Sequence, residues 1–237
     1  INLLAKKQVV VSMHAKEFMI QNEWFTKTSK IIYIPLGYDF NLYKSLEQDK
    51  SNKIKTDNSA KLILLIAARL IKTKKHELVL DTLKILIDRG LDIKLIIMDD
   101  GPEKDNIQKK VQHLGLDNYV KLYGNQLNIS DFIIAADLII HPSVEESSNQ
   151  VVKEGSYYGK TSIVTRNIGD FDEYIIDKKN AFFIDRTIAP SQLSDIIIDI
   201  YNNKYDLKNM AEELRKTVLD RFNIVNTANQ FEELHKI

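Results

Sequence analysis

Cysteine is absent from this sequence. That excludes a disulfide framework, a thiolate metal site and a cysteine nucleophile, and the chain is expected to be cytoplasmic. An excess of one charge is absent too, with Lys+Arg and Asp+Glu at 33 each. Net charge therefore gives no basis for nucleic-acid binding, and any cationic site has to be a local cluster. Long apolar runs are also missing. Leu62 to Ala68, and Phe132 to Ile140 with Asp137 inside it, are among the longest, well short of the roughly 20 residues that cross a bilayer as a helix. The chain starts at Ile1 without a charged, then apolar, leader, so it is read as a piece of a longer protein. What is present, 44% hydrophobic residues in 237, suits a globular chain with one sizeable core.

Short β-branched runs alternate with longer stretches of helical spacing, the pattern of strands joined by crossover helices in a parallel α/β sheet. Lys61 to Ala68, Ile93 to Met98, Tyr119 to Tyr123, Leu138 to His141, Ser162 to Thr165 and Ala181 to Ile184 are predicted strands. Helices are predicted over Lys75 to Arg89, Glu103 to Leu114 and Asn149 to Tyr158, and from Ala189 onward. Near the start, Gln8 to Ser12 and Ile31 to Pro35 read as strands, with a short helix from Ala15. Residues 1–45 thus look like the remnant of a neighbouring domain, 46–60 like a polar loop or linker, 61–205 like the main domain and 206–237 like terminal helices.

In an open parallel sheet, ligands bind beyond the carboxyl ends of the strands, where strand order reverses. Four polar segments follow strands: Arg69 with Lys72, Lys74 and Lys75; Asp99-Asp100-Gly101; Ser143 to Asn149; and Asn167 to Glu173. The basic cluster suits a diphosphate, because a guanidinium offers forked donors and an ammonium a compact charge. The same cluster also reads as a solvated turn. Glu146 and Glu154, with seven residues between them, flank a helix start whose free amides favour an anion and whose carboxylates can accept sugar hydroxyls. Paired acids at a helix start equally serve as caps.

Read together, these segments resemble the retaining glycosyltransferases of family 4, which have the GT-B architecture of two facing Rossmann-like domains. Ile34-Pro-Leu-Gly-Tyr-Asp39 is similar to the family's Ile-Pro-Asn-Gly-Val-Asp, and Ala68-Arg-Leu-Ile-Lys-Thr-Lys74 to its Gly-Arg-Leu, spacer, Lys. His141-Pro-Ser through Glu146 and Glu154 resembles its Pro-Ser and Glu-seven-Glu signature, and Ile168 to Ile175 sits where it has Gly-Gly and Glu-Ile-Val. The resemblance implies the donor-binding half of a GT-B enzyme: a Rossmann-like parallel sheet with helices on both faces, a last helix crossing back, and 1–45 left from the N-terminal acceptor domain.

By resemblance, Arg69, Lys74 and Glu146 are the catalytic residues. Gly101, Ser147, Ser148, Asn149, Gln150, Val151 and Glu154 join them in holding a nucleotide-diphosphate sugar. Arg69 and Lys74 take the diphosphate, Glu146 the transferred sugar and Glu154 the ribose. The implied reaction passes the sugar to a glycan or lipid-linked acceptor with retention of configuration, without metal or other cofactor. The complete enzyme is expected in the cytoplasm or peripherally at the inner membrane face.

The chain departs from the family pattern at several positions. Ser147-Ser148-Asn149 replaces Gly-Phe-Gly, Asp99 and Lys75 stand at frequent glycine positions, and Thr161 replaces a frequent proline. Asp170-Phe-Asp172 mimics a metal-binding Asp-x-Asp, His141 reads as structural, and Asn128-Ile-Ser130 is taken as a chance glycosylation sequon. Two alternatives stay open: a non-catalytic nucleotide-sugar-binding module, and another GT-B enzyme such as a sugar-nucleotide epimerase or a phosphorylase.

Overall fold

The computed structural model describes residues 7–22, 30–44 and 48–235. Parts of the predicted remnant and linker, residues 1–6, 23–29 and 45–47, and the last two residues of the tail lie outside them.

A six-stranded sheet, parallel throughout, forms the centre. In chain order after two short N-terminal strands, it comprises β3 (Leu62–Ala67), β4 (Ile93–Met98), β5 (Val120–Gly124), β6 (Leu138–His141), β7 (Thr161–Thr165) and β8 (Phe182–Ile184). Their spatial order is β5-β4-β3-β6-β7-β8. The chain therefore builds outward from β3 in one direction, then returns to place β6 on its other side. Every residue of β3 is buried, as expected of a central strand covered on both faces.

Alternate residues of β3 feed opposite layers, following the two-residue period of a strand. Leu62, Leu64 and Ile66 pack with α3 (His76–Asp88), α4 (Lys104–His113) and α7 (Pro190–Tyr201) through Leu80, Leu83, Ile107 and Ile197. Ile63, Leu65 and Ala67 pack with α2 (Gln48–Asp57) and α5 (Ser130–Ala135) through Ile54, Phe132 and Ile133. Next to that layer, α6 (Gln150–Tyr157) and α8 (Leu207–Arg221) join Val164 and Phe171 through Val152, Leu214 and Val218.

Two segments differ from the sequence expectation. Residues 48–57 form helix α2 where the sequence reads as loop. Its buried residues are Ser51 and Ile54, followed directly after the helix by buried Asn58; only one of the three is apolar, so a search for apolar periodicity passes over it. Asn58 repays its burial by donating to Ile54 O at 2.8 Å and to the Tyr123 hydroxyl at 2.7 Å. Helix α5 differs from the sequence expectation as well, since its six residues are too few to display a helical period.

The N-terminal strands β1 (Gln8–Val10) and β2 (Ile31–Tyr33) pair in parallel with each other in a separate sheet. Between them, α1 (Met13–Asn22) starts after Ser12, whose hydroxyl accepts from Ala15 N at 3.1 Å. The segment after β2 is tied to the end of the chain: Tyr38 N donates to Phe222 O at 2.7 Å, and Ile224 N to Tyr38 O at 3.2 Å. Helix α9 (Ile224–His235) then passes Pro35, whose carbonyl accepts from Thr227 Oγ1 at 3.1 Å.

Candidate functional site

Strands β3 and β6 are neighbours whose following segments lead to helices on opposite faces, α3 with α7 and α6 with α8. The crevice at their carboxyl ends is the reversal point of the sheet. The β3 segment carries Arg69, exposed and with no ion-pair partner among the described residues. A short 3-10 turn at Lys72–Lys74 follows, ended by Lys75 at φ 55°. The β6 segment is locked to it, since Val144 N donates to Thr73 O at 2.9 Å. Lys74 Nζ crosses over to form an ion pair with Glu146 Oε1, and lies 3.2 Å from Glu145 O and 3.4 Å from Ser143 Oγ.

His141, the last residue of β6 and buried, places Nε2 2.6 Å from the same Glu146 oxygen. Asn149 Nδ2 lies 3.0 Å from the same ring nitrogen, and with its proton on Nε2 the imidazole donates to the Glu146 carboxylate. Burial pushes the Glu146 carboxyl up, but His141 and Lys74 outweigh it and hold the group down at about 2. Glu146 Oε2, by contrast, accepts no hydrogen bond among the described residues. Glu146 lines a cavity of about 440 Å³ together with His14, Ser147, Ile168 and Arg186.

Helix α6 starts at this point. Asn149 is its N-cap, in extended conformation, with Oδ1 accepting from Val152 N at 2.9 Å. The remaining first-turn amides, those of Gln150 and Val151, have no intrahelical acceptor and carry the positive end of the helix dipole. One turn on, the buried Glu154 uses Oε1 twice, accepting from Tyr43 OH at 3.0 Å and Gln150 Nε2 at 2.6 Å. Burial and the Glu154 carboxylate raise the Tyr43 phenol, which remains a donor. Both carboxylates of the pair are thus fixed through Oε1.

Gly101, after β4, lies so close to the β3 segment that a Cβ would fall 2.5 Å from Leu70 O. Leu70 N in turn donates to Asp100 O at 3.0 Å. Asp99 and Lys75, at positions where the resembled family often has glycine, keep the left-handed backbone, with φ 83° and 55°. Between these loops and α6 lies a cleft of about 120 Å³, lined by Ala67, Met98, Asp99, Asn125, Gln126, Ile129 and Val151.

Of the sequence-predicted residues, Lys74 meets Glu146 across the two segments, Gly101 packs against Leu70, next to Arg69, and Ser147, Ser148, Asn149, Gln150, Val151 and Glu154 lie just before or within the first turns of α6. Asp170 and Asp172 do not form a pair: Asp170 bonds Lys153 and Ser148, whereas Asp172 accepts from Asn167 N at 2.6 Å. Thr161, in place of proline, donates to Asn180 O at 2.7 Å. Sequence reasoning missed Tyr43, Lys153 and the positioning part of His141. Tyr43 lies 111 positions from Glu154, so no local spacing announces it.

Residues 47–217 match the family model "Glycosyl transferases group 1". The lipopolysaccharide 1,2-N-acetylglucosaminetransferase of Salmonella typhimurium is 26% identical over 97% of this chain and 62% of its own length. The N-acetyl-alpha-D-glucosaminyl L-malate synthase of Bacillus anthracis is 26% identical over 61% of this chain and 38% of its own length. The chain therefore spans only part of these relatives. Among solved structures, Anabaena HepE in complex with UDP-glucose superposes with a TM-score of 0.88 at 22% identity, over 100% of this chain and 65% of that one. A glycosyltransferase from Rickettsia africae gives 0.84 at 24% identity, over 98% and 63%. The fold is thus the Rossmann-like parallel sheet of GT-B proteins, and the chain belongs to the group 1 glycosyl transferases.

Proposed function

We propose that this chain is the donor-binding part of a retaining glycosyltransferase, acting on a nucleotide-diphosphate sugar. The observation that carries the proposal is the disposition of the Glu146 and Glu154 carboxylates around the start of α6. Each is held through Oε1 by protein donors, Lys74 among those on Glu146, and Arg69 stands exposed on the same β3 segment as Lys74.

In this reading, Arg69, Lys74 and the first-turn amides of α6 take the diphosphate, where fixed donors stabilise the charge that grows on the leaving group. Oε2 of Glu146 accepts a hydroxyl of the transferred sugar, and Glu154 accepts ribose hydroxyls. The nucleobase occupies the cleft beside Ala67, Met98 and Gln126. The cations are supplied by the protein, so no metal is invoked. With retention, the acceptor oxygen attacks the face from which the diphosphate leaves, and a phosphate oxygen takes its proton.

Residues up to 45 and helix α9 belong, in the same reading, to the junction with an acceptor domain, and the acceptor is a glycan or lipid-linked sugar. Support comes from the UDP and UDP-glucose complexes of HepE and from the glycosyl-transferring relatives. A calorimetric panel of UDP, GDP and ADP in EDTA tests the proposal. Saturable binding of one diphosphate supports it, and silence from all three in folded protein contradicts it.

A further inference from the structure

Lys153, in α6 between the two carboxylates, and Asp170, in the segment after β7, form an ion pair at 2.6 Å with neither side chain exposed. All three hydrogens of an ammonium find oxygens here: Asp170 Oδ2, Asn149 O at 2.9 Å and Ser148 Oγ at 3.0 Å. The Ser148 hydroxyl donates in turn to Asp170 Oδ2 at 2.7 Å. The rings of Phe222, Tyr174 and Tyr38 surround the ammonium, with centroids at 4.4, 5.2 and 5.7 Å.

Such an arrangement is a poor choice for stability alone. Desolvating two charges offsets most of their attraction, and an apolar pair of similar volume commonly serves a core as well or better. Asp170 Oδ1 is moreover buried with no hydrogen-bond partner among the described residues. What the pair does achieve is local. It fixes Ser148 and Asn149, the residue before the cap and the cap itself, and draws the β7 segment against them. Next to Asp170, Gly169 at φ 58° packs so closely that a Cβ would sit 3.0 Å from Glu146 Cβ and 3.1 Å from Ser147 O. The loop from Glu146 to Asn149 is thus clamped between α6 and the β7 segment.

We propose that Lys153 and Asp170 are positioning residues for the donor: their pair holds the Glu146–Asn149 loop and the first-turn amides of α6 where the distal phosphate and sugar of the donor bind. The inference rests on the donor-site reading above. Neither residue touches the ligand, and the nucleoside end lies outside their reach.

The test compares wild type with the Lys153→Met/Asp170→Leu double variant, titrated with UDP-glucose and GDP-mannose and with UMP and GMP. The expected double variant melts at or above the wild-type temperature. It binds the nucleotide sugar about tenfold more weakly, as losing well-placed hydrogen bonds implies, and the corresponding monophosphate unchanged. Unchanged binding of the nucleotide sugar overturns the inference, as does a loss of the same ratio for sugar nucleotide and monophosphate. Should the double variant fail to fold, Asp170→Asn, which keeps the shape of the side chain, is judged by the same ratio. Wild type that binds none of the four probes removes the donor reading and this inference with it, whereas wild type that binds while the variant ratio stays flat removes this inference alone.

Discussion

His141 Nε2 lies 2.6 Å from Glu146 Oε1, at the last residue of β6. A residue read from sequence as structural therefore orients a carboxylate proposed to meet the sugar. The pair also has an acid signature. The Glu146 carboxyl is held down from 4.5 to about 2, so its contribution is present above the unfolded value and is lost as pH falls through the folded one. His141→Phe removes a donor and moves this titration upward. An acid melting series is expected to show the variant losing stability at higher pH than wild type, and superimposable acid limbs would contradict the assignment.

His76 opens α3 and is buried. Burial, with a smaller effect from nearby charges, lowers its imidazole from 6.5 to about 4. A base with a depressed folded value stabilises fully above its unfolded value, and that stability is lost as pH falls from about 6.5 toward 4. His76→Phe should flatten the melting temperature across that window. A variant whose melting temperature falls as steeply as wild type between those pH values would show that another group is responsible.

Glu154 is expected to contribute about 1.5–3 kcal/mol to nucleotide affinity if its carboxylate accepts ribose hydroxyls. Glu154→Gln preserves size while altering the acceptor, and calorimetry with UDP or GDP reads the loss. Equal affinity in a folded variant would remove the ribose assignment.

Arg69 should act on phosphate rather than on the nucleoside. Arg69→Ala is predicted to weaken diphosphate binding by about 1.5–3 kcal/mol through lost charge-assisted bonds, with nucleoside binding little changed. Parallel losses for uridine and UDP, or guanosine and GDP, would contradict that division.

The parts legible in sequence are those specified by short-range pattern. Ile93 to Met98 is a β-branched run and is a strand with those bounds. Glu146 and Glu154 are recognisable through their resemblance to the family's Glu-seven-Glu signature, since acids at a helix start alone read equally as caps. Legibility failed where the defining contact is distant or polar. Ser51 and Asn58 are two of the three buried residues in and just after helix α2, and neither is apolar. Tyr43 reaches Glu154 only after the chain has folded back on itself. Lys153 resembles a surface lysine until Asp170, 17 positions on, is brought against it.

The most direct test is a crystal structure of this chain with the tightest-binding nucleoside diphosphate of the panel, grown in EDTA. The account predicts the diphosphate between Arg69, Lys74 and the start of α6, with donors at about 2.7–3.2 Å and the ribose hydroxyls on Glu154. A diphosphate bound elsewhere, or with the ribose turned away from Glu154, would contradict it.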